Sequence, residues 1–376
     1  MSSQKTENDL SAARLYRSAT KLYTWLPYRF ARNGYAFPAR HYYFEVTRRC
    51  NLRCLMCQYI GWLKNTPVSV QKEGELTTAE WLGVIDQVQR FSLVTFTGGE
   101  PFLRDDFIEL LERASARSRT HIVTNAVLLN EERARRCAEL APRKMGRAGL
   151  NFLGTSIEGP PEVHDTIRMM RGAFEKTTNG VRMLTEFRDR AGKKCPMIHV
   201  TTVIQAGNVD TLAQMPRVAK DLGADVLNFT LEIRMFELEG LGEANPFGYK
   251  TSEIAFPRID PERLAQALKE TRMAAAKMGI ELRMPDMPDA EIIRYYSGEM
   301  PLRNFRCGGI WTNLFVGAKG DAYPCWLQKG SNVREKTLKE IWNGPEFRQF
   351  RAQVRKGLPG PCVGCCFLFY NGEDGR

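Results

Sequence analysis

Three cysteines stand within eight residues in the segment CNLRCLMC, at Cys50, Cys54 and Cys57. Thiolates bind zinc or iron–sulfur clusters, but a structural zinc site needs four ligands and this segment supplies three. In a four-iron cubane, three thiolates leave one iron open to a substrate or cofactor. The spacing therefore favours an iron–sulfur cluster with an open iron, and a zinc site or three buried thiols are the alternatives.

The elements around this segment alternate between strand and helix. Short apolar runs predict strands at 42–47, 92–97, 121–124, 150–156, 197–204 and 225–233, and longer patterns predict helices at 77–91, 105–118, 129–140, 171–189 and 208–221. Six such alternations predict an α/β fold whose parallel sheet curls into a partial (β/α)6 TIM-type barrel. The loops after barrel strands build the active site, and the three cysteines follow the first predicted strand.

Four regions are predicted along the chain: an N-terminal helical arm at 1–40, the barrel at 41–236, a linker or lid with a helix at 237–300, and a small cluster-binding domain of a β-hairpin plus helices at 301–376. The hairpin is placed at 311–327, with its turn at 318–321. The arm mixes aromatic and basic residues. It is expected to pack against its own domain, with a bilayer surface as the alternative.

The composition is typical of a soluble globular protein, with 43% hydrophobic and 26% charged residues in a chain of 376. There is no run of about 18 apolar residues, so no transmembrane segment is predicted, and the polar start MSSQKTENDL argues against a secretory signal. A cytoplasmic location is expected, in which the ten cysteines are thiols or metal ligands rather than disulfides. The net charge of +11 comes from scattered basic residues, so nucleic acid is not an expected partner.

The C-x3-C-x2-C spacing after a first barrel strand resembles that of the radical S-adenosylmethionine enzymes. TGGEP, after the second strand, looks like that family's motif for the methionine amino group, and TSIEG, after the fourth, looks like its ribose motif. Met56 replaces the aromatic residue that usually precedes the third cysteine, and Tyr59 is the candidate substitute. The resemblance implies a [4Fe–4S] cluster on the three cysteines and S-adenosylmethionine bound by Thr97, Gly98, Gly99, Glu100, Asn125, Ser156, Glu158, Val203 and Tyr59.

A second set of cysteines lies near the C terminus. Cys307-x12-Gly320-x4-Cys325 followed by Cys362-x2-Cys365 resembles the cluster-binding extension called SPASM or, in its shortened form, twitch. Five thiols suffice for one four-iron cluster with one spare, which favours the twitch form over the two-cluster SPASM form. The expected ligands are Cys307, Cys325, Cys362 and Cys365, with Cys366 as a substitute for Cys365 or a bystander. A four-cysteine zinc ribbon is the alternative.

The resemblance implies an enzyme that cleaves S-adenosylmethionine reductively to methionine and a 5′-deoxyadenosyl radical, which abstracts hydrogen from a substrate. A reductase such as flavodoxin or ferredoxin would supply the electron, and the auxiliary [4Fe–4S] cluster would accept an electron from the substrate or anchor it. Glu232 and Arg234 are the candidate catalytic residues, because they leave the last barrel strand two positions apart and share one side of it. An ion pair without a catalytic role is the alternative.

The expected substrate is a small polar metabolite such as an aminosugar or cyclitol. A genetically encoded peptide is the first alternative, although the arm of about 40 residues is shorter than a leader-binding domain of roughly 80, which weighs against it. A lipid is the second alternative, motivated by the aromatic and basic arm. From another class, the chain would be a non-catalytic iron–sulfur electron carrier or a zinc scaffold, but a carrier does not need a barrel with sulfonium-binding motifs.

Overall fold

A nine-stranded sheet forms the centre of the molecule, as seen in a computed structural model that describes residues 22–234 and 246–372. Its strand order is β10-β9-β1-β2-β3-β4-β5-β6-β7, and a separate two-stranded sheet pairs β8 with β11. The strands are β1 His41–Thr47, β2 Leu93–Gly98, β3 Arg119–Thr124, β4 Gly149–Ser156, β5 Met197–Ile204, β6 Val226–Leu231, β7 Glu281–Arg283, β8 Phe305–Cys307, β9 Asn313–Val316, β10 Ala322–Tyr323 and β11 Leu368–Tyr370.

Helices connect successive strands, so that β1 to β7 run parallel in chain order. The helices are α1 22–30, α2 Ile60–Asn65, α3 Thr78–Asp86, α4 Phe107–Ser115, α5 Glu131–Leu140, α6 Pro161–Arg168, α7 Ala173–Arg190, α8 Met215–Asp221, α9 Pro261–Met278, α10 Asp289–Tyr296, α11 Leu338–Trp342 and α12 Pro345–Val354. The predicted α/β partial barrel is confirmed. The helix predicted at 208–221 is divided into a 3₁₀ turn, Val209–Gln214, and α8, where Pro216 fits the first turn because it needs no amide donor there.

The two faces of the sheet differ in polarity. On the outer face, Phe44 packs against Trp81 of α3 and Phe96 of β2, with ring centroids 5.4 and 6.0 Å apart. On the inner face, His41 of β1 is 2.7 Å from the Thr95 hydroxyl, which lies 3.2 Å from Nδ1 of His121. Side chains alternate along a strand, so one face builds the hydrophobic core and the other lines a polar barrel interior.

The C-terminal region extends the barrel sheet rather than standing apart from it. Strand β9 pairs in parallel with β1, from His41 opposite Asn313 to Phe44 opposite Val316. The predicted hairpin follows, because β10 returns antiparallel to β9 through a turn in which Gly320 has φ +88°. Residues on both sides of the predicted domain boundary at 301 therefore belong to one sheet.

The N-terminal arm, in its described part, packs against the C-terminal helices. The Trp342 indole donates to the Phe37 carbonyl at 2.7 Å, and the Asn343 side chain bonds both the amide and the carbonyl of Ala36 at 3.0 Å. No described helix is long and apolar enough to cross a membrane. In the predicted linker or lid region at 237–300, residues 237–245 lie outside the described residues, and short 3₁₀ turns occupy Pro246–Gly248 and Thr251–Glu253.

Candidate functional site: two cysteine centres on one barrel

The first cysteine loop follows β1, as predicted, and each of its three sulfurs accepts a hydrogen bond. The amides of Leu52 and Tyr59 donate to Cys50 and Cys57, each at 3.4 Å. The Cys54 sulfur accepts from a guanidinium nitrogen of Arg168 at 3.3 Å. Such donors stabilise negative charge on sulfur, which is the state in which cysteine binds metal.

The three cysteines line one cavity of about 670 Å³, the cofactor cavity. Burial raises the pKa of the Cys50 thiol to about 12 and also raises the pKa of Cys57, so a metal must displace these protons when it binds. Among residues 22–234 and 246–372, no three Cys, His, Asp or Glu side chains lie close enough to share one ion. Three thiolates around one cavity can each take a corner of a cubane and leave its fourth iron open, so the donor set fits a cluster.

Gly98 and Gly99 of the TGGEP motif bring the second loop against the cysteine loop. A Cβ on Gly98 would overlap the Thr47 carbonyl oxygen, and one on Gly99 would overlap that of Arg49. Gly98 also has φ +147°, a conformation that side chains disfavour. The amides of Gly99 and Glu100 donate to the Thr47 and Arg49 carbonyls, both at 2.8 Å. Two loops thus pack backbone to backbone, and both glycines line the cofactor cavity.

Glu100 is fully buried beneath this cavity and does not line it. Its carboxylate accepts from the Thr124 hydroxyl at 2.7 Å, the Asn125 amide at 2.8 Å and the Phe102 amide at 3.1 Å. Burial raises the pKa of Glu100 even against these donors. The carboxylate therefore holds the loop after β3, while Asn125 lines the cavity and its side-chain amide points at the Cys50 sulfur, 3.8 Å away.

The TSIEG motif, like TGGEP, has one part that lines the cofactor cavity and a glutamate that is buried outside it. Ser156 lines the cofactor cavity, whereas Glu158 is fully buried outside its lining. The Glu158 carboxylate pairs with Arg168 at 2.6 Å and accepts from the Val203 amide at 2.9 Å. Glu158 and Val203 are thus brought together as framework, and their predicted contacts with ribose and adenine remain predictions.

Arg168, at the end of α6, was not anticipated from the sequence. It is 7% exposed, lines the cofactor cavity and spans Cys54 and Glu158. Its only sequence signal was its occurrence ten residues after Glu158 in an amphipathic segment. His164 fixes this loop, because its Nδ1 accepts a hydrogen bond from the Glu158 amide at 3.1 Å.

Tyr59 lies away from the lining of the cofactor cavity. Its hydroxyl donates to the buried carboxylate of Glu45 at 2.6 Å, and Arg48 pairs with the same carboxylate at 2.8 Å. Met56 lines both the cofactor cavity and a neighbouring one of about 880 Å³. Of the two candidates, Met56 therefore lines the cofactor cavity, whereas Tyr59 is bonded to Glu45 of β1.

Four cysteines of the second set line one cavity, and their role as cluster ligands remains a prediction. Their apolar cavity of about 380 Å³, the auxiliary cavity, is lined by Cys307, Cys325, Cys362 and Cys365. Burial raises the pKa of the Cys307 thiol to about 12 and raises the pKa of Cys362 as well. Cys366 is exposed and lines two other cavities instead. The geometry supports Cys365 over Cys366 as the fourth ligand.

A third space, the inner chamber, has an auxiliary cysteine in its lining. It measures about 780 Å³ and is lined by Thr201, Asn228 and Thr230 on one side and by Cys365 and Cys366 on the other. Cys365 also lines the auxiliary cavity, and Thr201 pairs across strands with Ser156 of the cofactor cavity. A substrate in this chamber would contact the auxiliary cysteine Cys365 and lie against the strand that pairs with Ser156.

Glu232 and Arg234 form an ion pair of 2.6 Å in the cavity of about 880 Å³. This cavity shares Met56 with the cofactor cavity and shares no lining residue with the inner chamber. The structure thus places the pair beside the cofactor cavity, and its catalytic role remains a prediction.

Comparison with known proteins identifies the family. The model of the radical SAM superfamily matches residues 44–200, and that of an iron–sulfur cluster-binding domain, SPASM, matches residues 307–366, together more than half of the chain. The chain therefore belongs to the radical SAM superfamily and carries a SPASM-type domain. It is an enzyme whose cofactors are S-adenosylmethionine, the [4Fe–4S] cluster that binds it and an auxiliary [4Fe–4S] cluster.

Two curated relatives cover most of the chain. An AdoMet-dependent heme synthase from Methanosarcina barkeri is 28% identical over 336 residues, 85% of this chain and 87% of that protein. A PqqA peptide cyclase from Granulibacter bethesdensis is 28% identical over 337 residues, 85% of this chain and 78% of that protein. The crystal structure of Streptococcus suis SuiB bound to precursor peptide SuiA shares the fold, with a TM-score of 0.58 and 16% identity over 85% of this chain and 68% of that one.

Proposed function

We propose that this enzyme oxidises a peptide substrate held in the inner chamber. The observation that carries the proposal is that this chamber touches the auxiliary cysteine Cys365 and adjoins the cofactor cavity through Ser156 and Thr201. One substrate can therefore lose hydrogen on one side and an electron on the other. Bound to its cluster, S-adenosylmethionine supplies the hydrogen-atom acceptor.

A peptide is favoured over the small polar metabolite expected from the sequence. Two enzymes similar to this chain are named for peptide substrates, a PqqA peptide cyclase and SuiB with its precursor peptide. The hydroxyl and amide groups of Thr201, Asn228 and Thr230 suit the hydrogen-bonding pattern of a peptide backbone. A tetrapyrrole is the second candidate, because another relative is named a heme synthase.

The protein's own part is to bind and orient these groups. Gly98, Gly99 and Asn125 shape the cofactor cavity, and Arg168 places a positive charge at its wall. The auxiliary cavity is apolar, which keeps water away from the second centre. These features supply positioning and a controlled dielectric, and the cofactors supply the radical chemistry.

The test is 5′-deoxyadenosine formation by anaerobically reconstituted, dithionite-reduced protein given S-adenosylmethionine. Peptide, tetrapyrrole, lipid and small polar fractions of the source cell are supplied in turn, and a Cys54→Ala variant provides the control without radical chemistry. We expect the peptide fraction to raise the product and one peptide in it to lose 2 Da. A response to the tetrapyrrole or the polar fraction alone would refute the peptide assignment.

A further inference from the structure

Asp286 lies at the junction of two internal spaces. It follows β7 and lines both the inner chamber and an adjoining aromatic cavity of about 1030 Å³. Cys366 lines the same two spaces. Within the described part of the chain, Asp286 is the one carboxylate that lines either of them.

The backbone of Asp286 is hydrogen-bonded to the auxiliary region. The Tyr370 amide of β11 donates to the Asp286 carbonyl at 3.1 Å. Pro285 precedes the residue and Pro288 begins the cap of α10, which restricts the backbone on both sides. No hydrogen bond or ion pair to the Asp286 carboxylate is formed by residues 22–234 or 246–372. Arg283, the nearest basic residue in sequence, is paired with Glu281 at 2.8 Å.

Oxidation of a substrate in the chamber requires a proton acceptor. The oxidation removes one hydrogen from a C–H bond and one from an X–H bond of the substrate, where X is a heteroatom. Together they carry away two electrons and two protons. One hydrogen leaves carbon as an atom, and the electron left on that carbon needs an acceptor, which a cluster held by the cysteines of the auxiliary cavity would supply. The second hydrogen must leave X as a proton while the new C–X bond closes. Asp286 is the chamber group whose conjugate base can take it.

We infer that the Asp286 carboxylate is the general base that accepts this proton, a role that rests on the proposed function. Asp286 lines the same chamber as Cys365 and Cys366, so the group that takes the proton and the auxiliary cysteine share one substrate space. Asp286 is also exposed, which lets the proton pass on to water after each turnover.

The test compares two products of the same turnover in Asp286→Asn, which keeps the shape of the side chain and removes the base. Hydrogen abstraction precedes proton loss, so 5′-deoxyadenosine formation should stay within about twofold of the wild type, while oxidised substrate per 5′-deoxyadenosine should fall roughly 10²-fold. Asp286→Glu should restore much of that ratio. Asp289→Asn is the matched control, because its carboxylate pairs with Arg272 on the surface.

Iron content and substrate affinity by fluorescence anisotropy, without reductant, separate the outcomes. An unchanged product ratio in Asp286→Asn would overturn the assignment. Weaker substrate binding, with 5′-deoxyadenosine and oxidised substrate reduced by the same factor, would also overturn the assignment, because Asp286 would then be a binding residue. The ratio is measured on whichever fraction raises 5′-deoxyadenosine in the wild type, so a wrong substrate class does not affect this test.

Discussion

Arg168 joins the first cysteine centre to the ribose-motif loop, because one guanidinium nitrogen donates to the Cys54 sulfur at 3.3 Å and another pairs with Glu158 at 2.6 Å. Both charged side chains are buried, so each neutralises a charge that would be costly alone. The same guanidinium lies close to a thiolate that the cluster needs. The Arg168 charge therefore stabilises both the buried Glu158 carboxylate and negative charge on the Cys54 sulfur.

Replacement of Arg168 by Met should lower the reduction potential of the first cluster. The hydrogen bond to Cys54 stabilises the more negative, reduced state, and a charged bond worth about 1.4 kcal/mol corresponds to roughly 60 mV for one electron. Redox titration followed by electron paramagnetic resonance measures the shift. The double variant with Glu158→Gln removes the unpaired carboxylate, so a potential that recovers in it would show that Glu158, and not the bond to sulfur, caused the change.

Cys365→Ala and Cys366→Ala should differ in iron content. Cys365 lines the auxiliary cavity with three other cysteines, and Cys366 does not. We expect the first variant to lose about four irons per chain and the second to keep them. Iron analysis after anaerobic reconstitution makes the measurement, with Cys137→Ala, a fully buried thiol far from both centres in sequence, as the control. Equal iron loss in both variants would show that the two thiols share the ligand role.

Tyr59→Phe should destabilise the barrel wall. Glu45 is 1% exposed, and its carboxylate accepts hydrogen bonds from the Tyr59 hydroxyl and from Arg48. Removing a donor from a buried acceptor costs about 1–3 kcal/mol. Urea unfolding of the cluster-loaded protein gives the free energy of unfolding. Tyr35→Phe, at an exposed tyrosine, is the control and should change the free energy of unfolding by less than about 0.5 kcal/mol. A similar loss in both variants would show that the hydrogen bond to Glu45 does not stabilise the protein.

The stability of the protein should fall as the pH drops below about 6.5. Burial lowers the pKa of His41, His121 and His164 to about 3 and that of His199 to about 4. Below the unfolded pKa of about 6.5, only the unfolded state takes up these protons, so each histidine lowers the free energy of unfolding by up to about 1.4 kcal/mol per pH unit. This loss continues until the pH approaches the folded values.

His121→Gln should therefore flatten the pH dependence by up to about 1.4 kcal/mol per pH unit between pH 6.5 and 5. Urea unfolding at successive pH values, with iron release followed in parallel, measures the slope. Val200→Ala lies in the buried core and carries no proton site, so it should lower stability equally at every pH. A slope unchanged by His121→Gln would mean that other groups govern the acid transition.

The alternating strands and helices could be predicted because each depends on its own segment of sequence. Apolar residues recur there with a period of 2 in a strand or 3.6 in a helix. Thr77, the first residue of the helix predicted at 77–91, forms a capping box with Glu80 at the start of α3. By contrast, β9 joins β1 across more than 260 residues, a pairing that no local pattern specifies. Strand β7 was missed because three residues are too few to show a period.

The sequence by itself predicted which thiols gather at each centre, because the ligand spacings and the glycine turns are local features. Only the tertiary structure decided that Glu100 and Glu158 serve as framework, that Arg168 reaches Cys54 and that Asp286 lines the inner chamber. The physical reason is that a buried charge takes its partner from whichever element lies within hydrogen-bond reach. That proximity is set by how the loops at the barrel mouth and the C-terminal segment pack on the sheet.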